Sequence, residues 1–213
     1  MRIGSLRLPL ASEGLPFILP LAAATAVSLL LGWAPAAAVG AVLTLAVACF
    51  FRDPERATPQ IAGAVVSPAD GRVHEIETEQ DRRRISIFLS VTDVHINRAP
   101  YAGKVNEVVY QPGRFVPAYR AAASRENESN RVTIGAADAT IDVKQIAGIL
   151  ARRIVCHARP GDELEKGQRY GLIRFGSRTD LLLPADCDVV AQVGDKVRGA
   201  ETILAYLKVT RDE

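Results

Sequence analysis

A glycine followed by a serine stands out near the C-terminal end of the chain, in the stretch "GLIRFGSRTDLLLP" at residues 171–184. Gly176 and Ser177 lie between two arginines, at a point where the pattern of a strand breaks at a turn. A serine hydroxyl is a poor nucleophile unless a base lies within hydrogen-bond reach. What this pair does therefore depends on which titratable side chains the fold brings to it.

The chain has three histidines, and their sequence contexts differ. His74 alternates along a strand pattern in "GRVHEIE", which predicts an exposed strand residue. His157 lies at the end of "GILARRIVCHA", a segment with a helical pattern, where the helix dipole favours a histidine. His95 follows an apolar strand in "SVTDVHINRAPYAGKV", among polar side chains that include Asp93 and Asn97. Polar groups at a strand end are typical of binding loops, so His95 is the candidate for chemistry.

Composition excludes several classes of protein. The 26 basic and 24 acidic residues give a net charge of +2, and the short basic runs contain no aromatics, so nucleic acid is not expected as a partner. Three cysteines in no metal-ligand spacing favour a reduced compartment without a disulfide framework. Zinc-type, Walker-type and dinucleotide-binding motifs do not occur, and we expect no metal.

The N-terminal part of the chain is apolar enough to contact a membrane. The run from Gly14 to Phe51 has no charged residue, and "LGWAPA" interrupts it with glycine, tryptophan and proline. Basic residues on both sides predict a hairpin of two short helices with both ends in the cytoplasm; they are Arg2, Arg7, Arg52 and Arg56. A secretory signal with "PAAA" as its cleavage site is the alternative, but its apolar region would be only about 7–15 residues long. We expect residues 1–59 to anchor the protein in the cytoplasmic membrane, either spanning it or entering one leaflet.

Residues 60–213 read as a catalytic domain rich in β-strands. Short β-branched runs are separated by Gly, Pro, Asp and Asn, and "GAADA" between two of them predicts a hairpin. The segments "GDELEKG" and "GDKVRGA" share a Gly-Asp turn followed by a second turn, as in lipoyl- and biotinyl-type hybrid sandwiches. The expected fold is mainly β: a compact sandwich or barrel with one or two short helices.

Four stretches together resemble a known family. "SPADG", "VHINRAP", "ENESN" and "RFGSR" occur in the order and spacing of phosphatidylserine decarboxylase proenzymes, and the chain is most similar to the short bacterial form. The resemblance covers nearly the whole chain, and "RFGSR" is its most specific element. "SPADG" alone is weak, since it also resembles phosphocarrier domains of sugar permeases.

The resemblance implies that the bond between Gly176 and Ser177 cuts itself. Ser177 Oγ would attack the carbonyl carbon of Gly176, which is open because glycine has no Cβ. The resulting ester would eliminate, and residue 177 would become a covalent pyruvoyl group with loss of ammonia. The products would be chains 1–176 and 177–213, held together as a heterodimer, with higher oligomers left open.

The resemblance also implies the reaction. The pyruvoyl carbonyl would do the work that pyridoxal phosphate does elsewhere, so that the serine headgroup of phosphatidylserine loses carbon dioxide and becomes ethanolamine. A phospholipid substrate would account for the expected membrane anchor. Arginines would hold the phosphate or carboxylate of the substrate, and the candidates are Arg98, Arg114, Arg174 and Arg178.

Asp70 and His95 match the family's pattern to different extents. Asp70 in "SPADG" would orient a basic histidine, as in a serine–histidine–aspartate relay, although Asp-Gly alone also fits a type I′ turn. Many members have two histidines three residues apart, and here the second position is Arg98, which is always protonated and is no base. Either His95 serves both self-cleavage and decarboxylation, or another group is the cleavage base.

Two alternatives belong to other classes. A membrane-tethered lipoyl- or biotinyl-like carrier needs a lysine at a hairpin tip, for which "LEKG" and "GDKV" offer Lys166 and Lys196. A phosphocarrier would use a histidine near "SPADG", either His74 or His95. Neither alternative explains "RFGSR" together with the apolar hairpin, and both depend on fold analogy.

Overall fold

The computed structural model describes residues 2–3, 6–7, 9–79, 81–117, 123–136, 139–148, 153–174 and 177–208. Contacts within the chain divide it into two compact units, Met1–Glu55 and Arg56–Glu213. The segment that joins the apolar run to the first strand of the domain therefore belongs, from Arg56 onward, to the second unit.

The first unit is a helical hairpin, as the sequence predicts. Its elements are strands β1 (Arg2–Ile3) and β2 (Leu6–Arg7), a 3-10 turn (Ser12–Gly14), and helices α1 (Leu15–Leu30) and α2 (Ala34–Phe50). The two helices pack closely, since a Cβ on Gly40 would lie 2.5 Å from the hydroxyl oxygen of Thr25. At the open end the rings of Phe17 and Phe51 stack with centroids 5.8 Å apart, so the helices are antiparallel.

The outer surface of this hairpin is apolar. Leu30 is 87% exposed and Trp33 is 62% exposed, close to the tip of the hairpin. The helical segment Ser12–Leu30 is long and apolar enough to cross a membrane by length and composition, and Ala34–Phe50 is shorter. Large apolar side chains that no other part of the unit covers favour association with a membrane.

The second unit is mostly β-structure, as predicted. Its strands are β3 (Ala64–Val66), β4 (Gly71–Glu79), β5 (Arg82–Leu89), β6 (Ile96–Arg98), β7 (Gly103–Gln111), β8 (Ser129–Ala136), β9 (Ala139–Ile146), β10 (Ile154–Cys156), β11 (Glu163–Leu164), β12 (Arg169–Ile173), β13 (Ser177–Pro184), β14 (Asp188–Val189), β15 (Lys196–Val197) and β16 (Ile203–Tyr206). A short helix, α3 (Ala123–Glu126), precedes β8.

The strands form one large curled sheet and two small sheets. The large sheet has the order β11-β7-β8-β9-β13-β5-β4-β15, and the small sheets have the orders β10-β12-β6 and β14-β16-β3. The main apolar cluster draws buried residues from all three, for example Ile85 of the large sheet, Tyr170 of one small sheet and Leu204 of the other. The alternation of apolar and polar residues along each strand gives the large sheet this core-facing side and an opposite, polar side.

Two local predictions have different outcomes. The "GAADA" hairpin is confirmed, because β8 and β9 pair in register up to Ala136 opposite Ala139. The helix predicted for "GILARRIVCHA" is wrong where the structure describes it: Ile154–Cys156 is a strand paired with β12, and residues 149–152 lie outside the described part. Pairing with an existing strand satisfies these backbone groups, and it outweighs a helical pattern too short to be stable alone. His157 is therefore not at a helix end.

The second unit also contains a structural repeat. The first repeat comprises β3, β4, β5, β14, β15 and β16, and the second repeat comprises β6, β7, β8, β10, β11 and β12. In both, a three-stranded sheet accompanies one half of the large sheet, and the strand from a Gly-Asp segment forms an outer edge. Asp162 and Asp195 close the same turn, since each accepts a backbone N–H three residues earlier at 2.8 Å. The similarity of the two segments in sequence thus reflects equivalent positions in the fold.

Candidate active site

Ser177 is the first residue of β13, in the middle of the large sheet. It pairs with Leu89 of β5 and is fully buried, and among the described residues its Oγ has no hydrogen-bond partner. A buried hydroxyl without a partner costs about 1–3 kcal/mol, so Ser177 is not there for stability. Gly176, the other residue of the predicted cleavage site, lies outside the described residues.

His95 is buried just before β6, at 2% exposure. Its Nδ1 lies 2.9 Å from the backbone carbonyl oxygen of Asp93. Since a carbonyl oxygen only accepts hydrogen bonds, Nδ1 carries the proton, and Nε2 of the neutral ring carries a lone pair. A backbone carbonyl therefore orients the imidazole, and Nε2 is the nitrogen that a neutral ring offers as a proton acceptor.

The loop that carries His95 follows the strand that pairs with Ser177 and contacts the strand that precedes Ser177 in the chain. It leaves β5 after Leu89, the pairing partner of Ser177, and turns where the Asp93 carboxylate accepts the backbone N–H of Ser90 at 2.8 Å. The carbonyl oxygen of His95 accepts the backbone N–H of Ile173, the last residue of β12, at 3.2 Å. Because β12 leads into β13, the fold brings His95 and Ser177 to the same end of the large sheet.

Asp70 lies in the tight loop between β3 and β4. The loop ends at Gly71, whose φ is 152°, and a Cβ there would lie 2.3 Å from the carbonyl oxygen of Phe88. The Asp70 carboxylate accepts hydrogen bonds from Arg56 at 2.7 Å and from the backbone N–H of Gly199 at 2.8 Å. Burial raises the pKa of Asp70 above its ordinary value, although the Gly199 N–H and the Arg56 charge oppose this effect.

The structure does not join Asp70 to His95 by a hydrogen bond. Within the described residues, Arg56 and Gly199 are the hydrogen-bond partners of Asp70, and the Asp93 carbonyl orients His95. The Asp70 loop is nevertheless held against the strand that follows His95, since β6 donates a backbone hydrogen bond to it at 2.9 Å. The relay remains a prediction, and the Asp93 carbonyl is a partner that no sequence pattern indicates, because any residue type provides one.

The four candidate arginines have different surroundings. Arg98 is 5% exposed, and its guanidinium donates to the carbonyl of Gly167 at 3.3 Å. Arg174 is half-buried and follows β12 directly, three residues before the start of β13. The Arg114 side chain is 80% exposed and lies 3.6 Å from Glu126, so it is a surface residue. Of these three arginines, Arg98 lies three residues from His95 and Arg174 lies three residues from Ser177.

Arg178 faces away from Ser177, because side chains alternate along β13. Its Nε donates to Asp180 at 2.6 Å, and its Nη2 contacts Glu75 at 3.2 Å and Ser86 at 2.6 Å. The side chain is 1% exposed. Its ion pair with Glu75 and its hydrogen bond to Ser86 hold β13 to β4 and β5 on the polar side of the sheet. The structure does not bring Arg178 to the face of β13 that carries Ser177.

The polar side of the sheet also carries a cavity of about 740 Å³. Its lining residues are Glu75, Glu77, Glu79, Arg82, Arg84, Ser124, Arg125, Lys144, Asp180 and Leu182. Their charges balance, and Ser177, His95 and Asp70 do not line it. The predicted site residues therefore lie outside this cavity: Ser177 begins β13, His95 lies just before β6, and Asp70 lies between β3 and β4.

On the face of β13 that carries Ser177, a buried amide network connects the motifs. Asn97 of "VHINRAP" donates to the hydroxyl of Thr179 at 3.1 Å and accepts from Gln145 at 2.9 Å. Asn130 of "ENESN" donates to the side-chain carbonyl of Gln145 at 3.1 Å. All four side chains are buried. Sequence reasoning missed Gln145 and Thr179, although polar residues at core-facing positions of a strand were a usable signal.

The lipoyl- or biotinyl-carrier and phosphocarrier alternatives depend on lysines and histidines whose surroundings the structure also describes. Lys166 donates to the carbonyl of Ile61 at 2.9 Å and lies 5.3 Å from the ring centroid of Tyr101, and burial lowers its pKa. Lys196 lies in an edge strand of the large sheet, and His74 is an exposed strand residue as predicted. In the part of the chain that the structure describes, no group of three or more His, Cys, Asp or Glu side chains is suited to a metal ion.

The chain matches proteins of known family over most of its length. Residues 43–205 match the family model described as phosphatidylserine decarboxylase. The phosphatidylserine decarboxylase proenzyme of Geotalea uraniireducens (strain Rf4) is 46% identical, with 93% of this chain and 97% of the relative aligned. The proenzyme of Geotalea daltonii (strain DSM 22248 / JCM 15807 / FRC-32) is 44% identical, with 92% and 95% aligned. The family match runs from before β3 into β16 and includes the start of β13, and the chain belongs to the phosphatidylserine decarboxylase family of enzymes.

Proposed function

We propose that this chain cuts itself between Gly176 and Ser177, forms a pyruvoyl group from Ser177, and converts phosphatidylserine to phosphatidylethanolamine and carbon dioxide. The observation that carries the proposal is the Ser177 hydroxyl, which is fully buried at the start of a central strand and has no hydrogen-bond partner among the described residues. Most buried hydroxyls in proteins are hydrogen-bonded, so an exception indicates a function.

The surroundings of residue 177 fit a pyruvoyl group. The group is made from the serine's own carbon atoms, so it needs no entry path, and the unbonded Oγ is available to start its formation. A pyruvoyl group supplies a carbonyl that accepts the electrons released when carbon dioxide leaves an amino acid. Under this proposal the cofactor is the covalent pyruvoyl group, and the reaction needs no metal ion.

Self-cleavage begins at the hydroxyl. A base takes the proton of Ser177 Oγ, and the oxygen attacks the carbonyl carbon of Gly176. The base then returns the proton to the peptide nitrogen, which leaves that carbon and gives an ester and a free amine on residue 177. Removal of the α-proton of residue 177 then expels the Gly176 carboxylate and leaves dehydroalanine. Its imine form takes up one water and releases ammonia, which leaves the ketone. His95, whose Nε2 carries a lone pair in the neutral ring, is the proposed base.

In decarboxylation the same imidazole acts as an acid. Once protonated, His95 can deliver a proton to the headgroup carbon that has lost carbon dioxide. We propose that Asp70 supports this histidine with its negative charge, while its carboxylate keeps its contacts with Arg56 and the Gly199 N–H. Arg98 and Arg174 are the proposed contacts for the anionic groups of the substrate, because arginine donates to phosphate and carboxylate in a planar fork.

The two product chains are expected to stay together. The small chain contributes β13, which pairs with β5 on one side and β9 on the other, and both neighbours belong to the large chain. Separation would break two complete strand pairings in the middle of the sheet. The heterodimer should therefore come apart only when the β-structure unfolds.

The apolar hairpin is the proposed anchor, because the substrate is a lipid that stays in the bilayer. We place the β-structured unit on the cytoplasmic side, since basic residues flank the apolar run. Arg56 does not take part in this argument, because it is bonded inside the second unit. The flanking charges that remain are Arg2, Arg7 and Arg52.

A denaturing mass spectrum of the purified protein tests the processing step. We expect two chains, residues 1–176 and residues 177–213, and a small chain that resists N-terminal sequencing because a ketoacyl cap has no amine. Ser177→Ala should leave one chain of 22.9 kDa. A small chain that begins with a serine amine, or an uncut chain that decarboxylates phosphatidylserine, would contradict the proposal.

A further inference from the structure

Arg56 has a role that its sequence context does not indicate. It lies in "FFRDPER", where it reads as a basic residue that flanks a membrane segment. In the structure its side chain is only 9% exposed, and its guanidinium contacts Asp70 at 2.7 Å and Glu201 at 3.3 Å. A long, flexible cation is seldom buried unless a partner requires it.

We infer that Arg56 is a positioning residue that holds the carboxylate of Asp70 ionised and in one orientation for self-cleavage. The inference rests on the proposed function, in which Asp70 supports the base. Its independent basis is geometric: one nitrogen of Arg56 contacts Asp70, while another contacts a carboxylate from a different part of the chain.

Several elements surround the Asp70 carboxylate. Arg56 contacts it from the segment before β3, and the Gly199 N–H donates to it from the turn between β15 and β16. Asp93 acts on it from the loop between β5 and β6, and Glu201 contacts Arg56. Of the cations in the described part of the chain, Arg56 alone forms an ion pair with Asp70. Burial and the Asp93 carboxylate oppose ionisation of Asp70, the Gly199 N–H and Arg56 favour it, and Arg56 is the one cation among these groups.

Loss of the Arg56 charge has a predictable consequence. Burial already raises the pKa of Asp70, and an adjacent arginine typically lowers a carboxyl pKa by about 1–3 units. Without Arg56 the pKa of Asp70 should therefore rise further. More of the carboxyl is then protonated at acid and neutral pH, and a protonated carboxyl no longer stabilises a positive imidazole. The defect should be largest at low pH and should shrink as rising pH ionises Asp70 again.

The test compares full-length variants that keep or remove the charge. Arg56→Gln removes it, Arg56→Lys keeps it, and Arg198→Ala is a control, because that arginine is 70% exposed and contacts Glu201 at 3.8 Å. Precursor made in a short cell-free pulse with detergent micelles is chased at about pH 6 and about pH 9, and the cut fraction is followed by gel. We expect Arg56→Gln to cleave about tenfold or more slowly at the lower pH, with a smaller deficit at the higher pH. Arg56→Lys should recover most of the rate, and Arg198→Ala should match the unaltered chain.

The outcomes separate this inference from the proposed function. If the unaltered chain does not cut itself, the proposed function fails. If Asp70→Asn cleaves normally, the role of Asp70 fails and the inference fails with it. The inference alone is overturned if Asp70→Asn is blocked but Arg56→Gln cleaves normally. It is also overturned if Asp70→Asn is blocked and Arg56→Gln is slowed by the same factor at both pH values. Should Arg56→Gln not fold, Arg56→Lys decides the matter: a folded Lys variant that does not cleave contradicts the inference, and one that cleaves supports it.

Discussion

The two repeats of the β-structured unit have the same architecture but contribute different chemistry. In both, a turn follows the Gly-Asp segment, and a backbone N–H of that turn donates to a carbonyl in the loop before a long strand. This hydrogen bond joins Ala200 to Ser67 in the first repeat and Gly167 to Ala99 in the second, each at 2.8 Å. Both also have a bulge at the start of that long strand and another in the small sheet. The equivalence extends to single residues and is not limited to strand order.

Against this shared frame, the candidate functional residues are asymmetric. When the repeats are aligned with Ser67 opposite Ala99, Asp70 of the first repeat corresponds to Ala102 of the second. In the same alignment, His95 of the second repeat corresponds to Gly63 of the first. The first repeat thus provides a carboxylate and the second an imidazole, each at a position where the other repeat has a residue without a titratable side chain. We infer that the repeat provides the scaffold, and that the site depends on the differences between its two copies.

The largest expected effect comes from making the two repeats alike at the carboxylate. Asp70→Ala gives the first repeat the residue of the second, and we expect self-cleavage to slow by about 10²–10⁴-fold, the range for loss of an acid–base group. Ala102→Asp is the matched control, since Ala102 is exposed and tolerates a charge. It should cleave normally and should not rescue Asp70→Ala. Gel analysis of both precursors and the double variant is the measurement, and rescue would contradict the asymmetry.

The histidine gives the second test. His95→Ala should lower decarboxylation of phosphatidylserine in vesicles by about 10²–10⁴-fold, because the proton donor is lost. Its effect on cleavage identifies the base: an uncut chain means that His95 serves both steps, and a cut but inactive protein means that another group starts cleavage. His74→Ala, a change at an exposed strand position, should leave both steps intact. Normal cleavage together with normal turnover in His95→Ala would remove His95 from the mechanism.

The next effect concerns how the first repeat holds the central strand. Arg178 connects β13 to Glu75 and Ser86, which both belong to the first repeat. Arg178→Met leaves the buried Asp180 without its shortest ion pair, which should lower the free energy of unfolding by about 3–5 kcal/mol. Arg114→Met, at a side chain that is 80% exposed, should change it by less than about 0.5 kcal/mol. Urea denaturation in the Ser177→Ala background, where the chain stays whole, compares the two.

The second repeat holds the other face of the same strand by neutral hydrogen bonds. Asn97→Ala removes the partner of the Thr179 hydroxyl and the closer of two acceptors of the Gln145 amide nitrogen, and both groups stay buried. Loss of a buried partner costs about 1–3 kcal/mol, so this change should destabilise the protein less than Arg178→Met. The same denaturation experiment ranks them. A larger loss for Asn97→Ala would mean that the amide network, and not the ion-pair cluster, is the main support of β13.

The sequence predicts the fold better than it predicts the contacts of the candidate site. Strands, hairpins and the repeat of Gly-Asp segments follow from local patterns, so they could be predicted; the strand at Ile154–Cys156 could not, because pairing with a distant strand decides it. In the site, the burial of Ser177 and the partners of Asp70 and His95 depend on contacts between residues far apart in sequence. Arg56 is the clearest example, since the sequence alone does not distinguish a basic residue that flanks a membrane segment from a buried ion-pair partner.

The smallest expected effect tests the two equivalent turns themselves. Gly167 and Ala200 have φ angles of 82° and 65°, in the left-handed region that favours glycine. A Cβ on Gly167 would lie 2.2 Å from the hydroxyl oxygen of Thr58 and would also be strained by its backbone, so Gly167→Ala should destabilise by about 1–2 kcal/mol or more. Ala200→Gly relieves a similar backbone strain, but it removes a buried methyl group and frees the unfolded chain, so the terms offset to within about 1 kcal/mol. The two turns should therefore respond unequally to exchange of the same two residues. Thermal melts of both variants in the Ser177→Ala background measure the difference, and equal shifts in melting temperature would mean that the Thr58 contact has no part in it.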